Sequence, residues 1–200
     1  GQIGSGSQPC CDSYCVNFWF AWWMMFPVRL IVIAGPAGSG KSTLANSVAE
    51  DLGIPHLDFD TVSHEIIEIR RTENPELSEP ELLETFKSER YSELAGAIRD
   101  CSRDLLIASG PFSQHARSPR LWSDWLGECG EVEAVDFIWL HLDPEIRMGR
   151  IIGRNSPRDA QVRSRDQGLG RVPWPVIGHR VVDAGEGIDA QCREVIRTIM

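Results

Sequence analysis

The chain lacks an excess of basic charge. Its 200 residues include 29 Asp and Glu against 20 Lys and Arg, for a formal net charge of −9. Since nucleic-acid backbones are bound through clustered Lys and Arg, this balance argues against an extended nucleic-acid interface. The chain also lacks an apolar run of the about 20 residues that a membrane-spanning helix needs. With 42% hydrophobic and 24% charged residues, it has the composition of a globular domain with a sizeable core, and we expect neither a nucleic-acid partner nor stable membrane insertion.

The chain also lacks the cysteine patterns of a zinc site or a disulfide framework. The three cysteines within residues 10–15 have no companion Cys or His pair at metal-ligand spacing, which argues against a zinc site. The other three lie far apart, and we expect reduced, partly buried thiols at Cys101, Cys129 and Cys192. A disulfide framework is therefore not expected.

Residues 1–26 differ from the rest of the chain. Residues 1–8 are rich in Gly and Ser, and residues 17–26 concentrate aromatic and Met side chains in a stretch that lacks the basic start of a secretory signal. We expect either an extension of a natural protein that begins near Met24 or Met25, or a hydrophobic arm that docks on a membrane surface or a partner. A homodimer is one arrangement that would bury such an arm. Residues 27–200 are expected to form one domain.

A glycine-rich loop follows an apolar run near the start of that domain. Residues 28–35, VRLIVIAG, predict a buried parallel strand, and residues 35–42, GPAGSGKS, form the loop. A helix follows, with Gly53 as its stop signal. Strand, glycine loop and helix together are the context of a phosphate-binding P-loop, because glycines let backbone N–H groups converge on an anion at a helix N-terminus.

The roles of individual loop residues follow from this geometry. Lys41 supplies a charge for the β- and γ-phosphates, and the Ser42 hydroxyl is placed to ligate Mg²⁺. Thr43 caps the helix or faces the α-phosphate. We expect ATP and Mg²⁺ as cofactors, with the nucleotide held by Gly35, Ala37, Gly38, Ser39, Gly40, Lys41, Ser42 and Thr43.

Strands and helices alternate along the remainder. Further strands are predicted at residues 54–60, 104–112, 133–143 and 179–185, and helices at residues 63–71, 80–100, from 144 onward and 187–200. This order predicts an α/β fold with a five-stranded parallel sheet and helices on both faces. Ligands bind at the carboxyl ends of such strands, so Gly35, Asp58, Asp60 and residues 109–112 should converge.

Several motifs of nucleotide-driven switches and motors are absent. There is no Asn-Lys-x-Asp tetrad for guanine, no Ser-Gly-Gly signature of transporters, and no apolar strand that ends in Asp-Glu. The predicted fourth strand ends in Asp143, but Pro144 follows, so we interpret Asp143 as a helix cap. These absences favour phosphoryl transfer over a switch or a motor.

The sequence Asp58-Phe59-Asp60 is a first positive indication of transfer. With period-two alternation at the end of a strand, both carboxylates would point to the same side, towards the γ-phosphate. One could accept a proton from an acceptor hydroxyl while the other orients the acceptor or Mg²⁺. We favour Asp58 as the base, because capping of the next helix is the alternative role for Asp60. His64 either touches the acceptor or is a surface residue.

An arginine row is the second indication. Arg147, Arg150 and Arg154 lie three and four residues apart, so they share a helix face, and Arg158 follows on a loop. Such a helix can form a lid over the nucleotide, with one guanidinium stacked on adenine and others neutralising the transferring group. The alternative is a solvated basic face, which applies most directly to Arg147.

Together, the loop, the aspartates and the arginine row resemble the P-loop small-molecule kinases, including adenylate, shikimate and gluconate kinases and chloramphenicol phosphotransferase. GRIIGR is similar to the lid-entry helix of adenylate kinases, which implies adenine stacking by Arg150 and phosphate contact by Arg154. LDFD resembles the strand-end aspartates of the shikimate and gluconate kinases. The segments PRDAQ and GPFSQHARSPRLW look most like bacterial AAA-family ATP-binding proteins.

The resemblance implies a P-loop NTPase fold with a helical lid and a cytoplasmic, ATP- and Mg²⁺-dependent phosphotransferase acting on a hydroxyl of a small metabolite or antibiotic-like compound. We expect the catalytic set Lys41, Asp58, Asp60, Arg154 and Arg158. Just past the third strand, Phe112, His115 and Arg117 are expected to help line the acceptor pocket. The acidic residues 63–100 favour a neutral or cationic acceptor. A nucleoside-monophosphate kinase and a non-catalytic ATP-binding module remain alternatives.

Overall fold

The computed structural model describes residues 28–154 and 172–200. Within these residues, five parallel strands form one sheet in the order β2-β3-β1-β4-β5. The strands are β1 (Val28–Ala34), β2 (His56–Asp58), β3 (Leu105–Gly110), β4 (Val132–His141) and β5 (Arg180–Asp183). β1 is central and pairs with β3 on one side and β4 on the other, which is why its residues are almost all buried. The predicted five-stranded parallel sheet is confirmed.

Helices cover both faces of the sheet. They are α1 (Lys41–Leu52), α2 (Phe59–Val62), α3 (His64–Glu73), α4 (Glu79–Thr85), α5 (Lys87–Arg99), α6 (Pro119–Glu128), α7 (Pro144–Arg154) and α8 (Ile188–Ile199), with a 3₁₀ turn at His115–Arg117. One core packs β1 and β3 against α5 and α6 through Leu94, Ile98 and Trp125. The other packs the opposite face against α1 and α8 through Leu44 and Val195. Part of the predicted lid falls on residues 155–171, outside the described residues.

Two predicted element boundaries are wrong. β2 ends at Asp58 rather than at residue 60, because the Asp58 carboxylate accepts hydrogen bonds from the backbone N–H groups of Asp60 and Thr61 and so caps α2. The helix predicted over residues 80–100 is two helices, since Phe86 leaves helical geometry between α4 and α5. The first error lies where a side-chain cap, rather than the hydrophobic period, ends the strand.

Two predicted helix termini are confirmed. Gly53 closes α1 in the left-handed conformation at φ 65°, which only glycine adopts without strain. Asp143 caps α7, with its Oδ1 accepting hydrogen bonds from the backbone N–H groups of Glu145 and Ile146. Asp143 therefore serves the helix, as its position before Pro144 indicated.

The described residues include three cysteines, and their helices can be compared with the length that a membrane span needs. Cys101, Cys129 and Cys192 are free, and burial raises the pKa of Cys129 to about 12. Between residues 28 and 154 and between 172 and 200, no helix has both the length and the apolar character needed to cross a bilayer.

Candidate active site

The phosphate loop joins β1 to α1 at the carboxyl edge of the sheet. Gly38 and Gly40 have φ values of 81° and 93°, and Gly40 is the N-terminal cap of α1. A Cβ on Gly38 would lie 2.9 Å from Cγ1 of Ile151 and 3.1 Å from the carbonyl oxygen of Arg147. The loop therefore needs glycine both for its backbone conformation and because α7 passes so close to it.

The loop also carries polar groups suited to an anion. The Lys41 ammonium donates to the carbonyl of Pro36 at 2.9 Å, so it lies folded back over the loop. Ser39 is 1% exposed, and its hydroxyl has no hydrogen-bond partner among the described residues. A buried hydroxyl without a partner, beside glycines at a helix N-terminus, fits the oxygen atoms of a bound phosphate.

Asp58 meets the first turn of α1. The Ser42 hydroxyl donates to Oδ2 of Asp58 at 2.7 Å, and the Ser109 hydroxyl from β3 donates to the same oxygen at 2.9 Å. Nε2 of His56 lies 2.9 Å from the Ser109 hydroxyl, and its Nδ1 lies 2.7 Å from the Asn46 side chain. These contacts close a ring of hydrogen bonds that joins α1, β2 and β3, which we call the Asp58 network.

The Asp58 network sets the charges of its members. Burial acts to raise the pKa of Asp58, but the hydrogen bonds from Ser42, Ser109 and Thr61 and the attraction of His56 outweigh it, so the pKa lies below its ordinary value. Burial lowers the pKa of His56, against the attraction of Asp58. At neutral pH the network thus contains an ionised carboxylate and a neutral imidazole.

Proton counting then fixes the direction of the hydrogen bonds. Because Ser109 donates its single proton to Asp58, a neutral His56 donates through Nε2 to the Ser109 oxygen and accepts at Nδ1. Oδ1 of Asn46 faces Nδ1 at 2.7 Å, and a donor is placed there by reversing the Asn46 amide, whose O and N atoms are assigned from the hydrogen-bond network. His56 acts through Ser109 on Asp58, which makes it a positioning residue.

The chemistry of this corner fits Mg²⁺ together with a nucleotide. No group of three or more His, Cys, Asp or Glu side chains able to hold a metal occurs in the described part of the chain. Mg²⁺ does not require one, since it is usually bound through one or two protein oxygens, with phosphates and waters completing its shell. Ser42 and Asp58 provide such oxygens side by side.

Asp60 does not share a strand face with Asp58, so that prediction is wrong. Asp60 belongs to α2, and its Oδ1 accepts a hydrogen bond from the Arg90 guanidinium at 2.6 Å. Arg90 is 7% exposed, donates to the Ser63 hydroxyl and lies 4.2 Å above the ring of Phe59. The turn made by the Asp58 cap places Asp60 beside this arginine, where it lines a cavity of about 340 Å³ between α2, α3, α4 and α5.

The arginine row does not behave as one solvated face. Arg147 is 3% exposed, which contradicts the surface alternative for it. Arg150 donates to the carbonyl of Ala184 at 3.2 Å, and its Nη1 lies 3.8 Å from where a Cβ on Gly40 would be. Arg154 is exposed at the end of α7, and Arg158 lies outside the described residues. The Arg150 guanidinium thus lies beside the phosphate loop.

The predicted acceptor-pocket residues are dispersed. Phe112 is fully buried in the core against Trp125, so its placement in a pocket is wrong. His115 is half-buried between α5 and α6; burial, reinforced by Lys87, lowers its pKa to about 4. Arg117 is exposed, and so is His64 on α3.

Two contributors to this region were missed by sequence reasoning. His56 stands two residues before Asp58, a period-two spacing that places both on one side of the strand. Arg90 sits among apolar residues that recur at helical spacing in α5, where a buried charge signals a partner. Both patterns can be seen in the sequence, but neither identifies the residue that His56 or Arg90 contacts.

Comparison with known proteins places this geometry in a family. A family model described as an AAA domain matches residues 34–166. A cytidylate kinase from Haloarcula marismortui is 30% identical over 141 residues, which cover 70% of this chain and 66% of the relative. The match thus spans less than two thirds of that relative's length.

Solved structures share the fold at low identity. A gluconokinase from Sinorhizobium meliloti 1021 superposes with a TM-score of 0.56 at 18% identity, covering 86% of this chain and 91% of that one. A shikimate kinase from Bacteroides thetaiotaomicron gives 0.55 at 17% identity, covering 86% and 98%. The predicted P-loop fold and the resemblance to P-loop small-molecule kinases are confirmed.

Proposed function

The chain belongs to the AAA-domain family, and from this premise we propose that it is an ATP- and Mg²⁺-dependent phosphotransferase that moves the γ-phosphoryl group to a hydroxyl of a small organic compound. The observation that carries the proposal is the 2.7 Å hydrogen bond between Ser42 and Asp58. It brings an ionised carboxylate to the point where the phosphate loop enters α1. From there the carboxylate can contribute both to holding Mg²⁺ and to orienting an acceptor hydroxyl.

Each loop residue has a proposed task in the reaction. Lys41 leaves the Pro36 carbonyl to neutralise charge on the β- and γ-phosphates, and the glycines present backbone N–H groups to the same oxygens. Ser42 and Asp58 would hold Mg²⁺, which would supply positive charge to neutralise the phosphates. Arg150 flanks the nucleotide, and Arg154 and Arg158 are proposed to cover the transferring group.

Asp58 is proposed to orient the acceptor hydroxyl and to take its proton. The hydroxyl oxygen forms a bond to the γ-phosphorus, the bond to the bridging oxygen of ADP breaks, and the hydroxyl proton passes to the carboxylate. A carboxylate of lowered pKa is a weak base. This suffices because a loose phosphoryl-transfer transition state asks mainly for positioning.

A nucleoside-monophosphate kinase is a second candidate, favoured by the name of the cytidylate kinase relative. The cavity beside Asp60 opposes it, since Glu68 and Glu79 line that cavity together with Asp60. These carboxylates would repel a phosphate, although Arg71 and Arg90 offset part of their charge. A nucleotide-binding module without turnover is the third reading.

A coupled ADP-release screen tests the proposal. The purified chain with Mg·ATP is offered gluconate, shikimate, cytidine monophosphate, simple polyols and aromatic alcohols, with the Lys41→Ala variant as the matched control. Phosphotransferase activity requires ADP release that depends on an alcohol and is lost in the variant. Release with cytidine monophosphate alone would establish the second candidate, and tight ATP binding with no release under any condition would establish the third.

A further inference from the structure

A second cavity lies at the carboxyl edge of β4, beside the phosphate loop and away from Asp60. Its volume is about 420 Å³, within the range of sites that hold drug-sized ligands. Trp139 and His141 from β4 form one wall, and Trp174 from the segment after residue 171 forms another. Pro36 of the phosphate loop completes it on the side of β1.

The lining of this cavity is suited to a ring. The His141 and Trp174 rings are stacked, with centroids 4.9 Å apart and an angle of 24° between their planes. Trp174 is nevertheless 51% exposed, which is a large apolar surface to leave in water. Among the described residues, no hydrogen bond engages the ring nitrogens of Trp139, His141 or Trp174. These rings can therefore pack on a flat ligand and donate to its substituents.

The cavity also touches the reaction centre through one residue. Pro36 lines it, and the carbonyl of the same Pro36 accepts the hydrogen bond from Lys41. Lys41 is followed by Ser42, which contacts Asp58. Pro36 is thus shared by the cavity and by the contact that holds the Lys41 ammonium. Arg147, 3% exposed, adds a guanidinium to the lining.

We propose that this cavity binds the aromatic ring of an elongated acceptor alcohol, whose hydroxyl-bearing arm runs past Pro36 towards Lys41 and Asp58. The inference rests on the proposed phosphotransferase function and narrows its substrate class to arylalkyl alcohols. A small polyol would leave most of 420 Å³ of ring-lined space unfilled.

Binding of 3-phenylpropan-1-ol, measured by calorimetry with the nucleotide-loaded chain, tests the cavity directly. Trp174→Leu should weaken binding of this alcohol by about tenfold because it removes one aromatic wall. Mg·ATP affinity should not change. His141→Ala is a second variant at the same wall, and Ile69→Ala on α3, 46% exposed and outside this cavity, is the matched control.

The outcomes separate this inference from the proposed function. Unchanged binding of 3-phenylpropan-1-ol in both Trp174→Leu and His141→Ala would overturn the cavity assignment. If gluconate stimulated ADP release equally in the wild-type chain and in Trp174→Leu, the cavity assignment would also be overturned, but the proposed phosphotransferase activity would stand. Trp174-dependent binding of the aromatic alcohol without ADP release from any alcohol would support the ring site and reject phosphoryl transfer.

Discussion

The phosphate loop and the helical segment from α2 to α5 both carry charged and polar groups, but they satisfy them in different ways. In the loop, Ser39 is buried without a partner among the described residues, and Lys41 is held by a backbone carbonyl. In the helical segment, carboxylates meet guanidinium groups: Asp60 meets Arg90, and Glu89 meets Arg70. The loop is arranged to receive an anion, whereas the helical segment is arranged to hold itself together.

This difference bears on where an acceptor binds. A ligand in the cavity beside Asp60 must compete with ion pairs that already exist, and replacing a buried charge contact is costly. The cavity beside Pro36 is lined largely by aromatic and prolyl side chains, and a ligand that covers their apolar surface gains from the hydrophobic effect. The comparison therefore favours the second cavity and makes Arg90 a structural residue.

Removing Lys41 gives the largest effect that the comparison predicts. Lys41→Ala should lower kcat on the order of 10²–10³-fold, because a charge that stabilises the transferring group is lost. The melting temperature should change little, since Lys41 lies at the loop and belongs to neither hydrophobic core. Steady-state ADP release and thermal denaturation measure both. Lys87→Ala on α5 is the matched control. A similar drop in kcat in Lys87→Ala would show that the loss is not specific to the phosphate loop.

Asp58 lies between the two regions and should show the next effect. Asp58→Asn keeps the shape but removes the charge that accepts the proton, so kcat should fall roughly 10²-fold, more than ATP affinity does. Initial rates across ATP concentrations separate kcat from KM. Equal turnover in the variant would exclude Asp58 as the base. Ser109→Ala, which removes one hydrogen bond to the same carboxylate, should give a smaller loss.

Arg90 offers the opposite result to Lys41. Arg90→Met should destabilise the fold by about 1–2 kcal/mol, because Ser63 and half-exposed Asp60 lose a partner. ATP affinity should be unaffected. Urea denaturation measures the stability, and Arg120→Met, at a 90% exposed arginine, is the control. If the free energy of unfolding were unchanged and ATP or acceptor binding were weaker, Arg90 would be a ligand-binding residue rather than a structural one.

His115 should give the smallest effect, confined to acid. Burial holds its pKa at about 4, below the ordinary 6.5. Between pH 6.5 and 4 the imidazole is therefore protonated in the unfolded chain but not in the folded chain. The protein should lose stability as pH falls from 6.5 towards 4. His115→Gln should reduce that loss and change little at pH 7.5. Denaturation at pH 7.5 and 5 tests this, and parallel curves for both proteins would reject it.

The loop could be predicted from the sequence because its structure is local. Gly38, Gly40, Lys41 and Ser42 are consecutive or nearly so, and their conformation depends on glycine and the helix start rather than on distant residues. Gly53 and Asp143 were predictable as helix ends for the same reason. Such signals need no knowledge of what packs nearby.

The acceptor side could not be predicted in the same way. Asp60 and Arg90 are 30 residues apart, and the side of α2 on which Asp60 falls depends on the cap that Asp58 makes. Phe112 follows β3 directly, yet tertiary packing buries it among Tyr91, Trp125 and Phe137. Where contacts across the chain decide a side chain's direction, residue type and spacing give the candidates but not their roles.

Pro36 has a consequence for the order in which ligands associate. The Pro36 residue lines the aromatic cavity, and its carbonyl accepts the hydrogen bond from Lys41 of the phosphate loop. A ligand in the cavity that shifts Pro36 therefore changes the free energy needed to release the Lys41 ammonium from that carbonyl. Thermodynamic reciprocity then requires triphosphate to alter affinity for an aromatic compound by the same factor as the aromatic compound alters affinity for triphosphate. Two titrations, each performed with and without saturation by the other partner, should return one ratio.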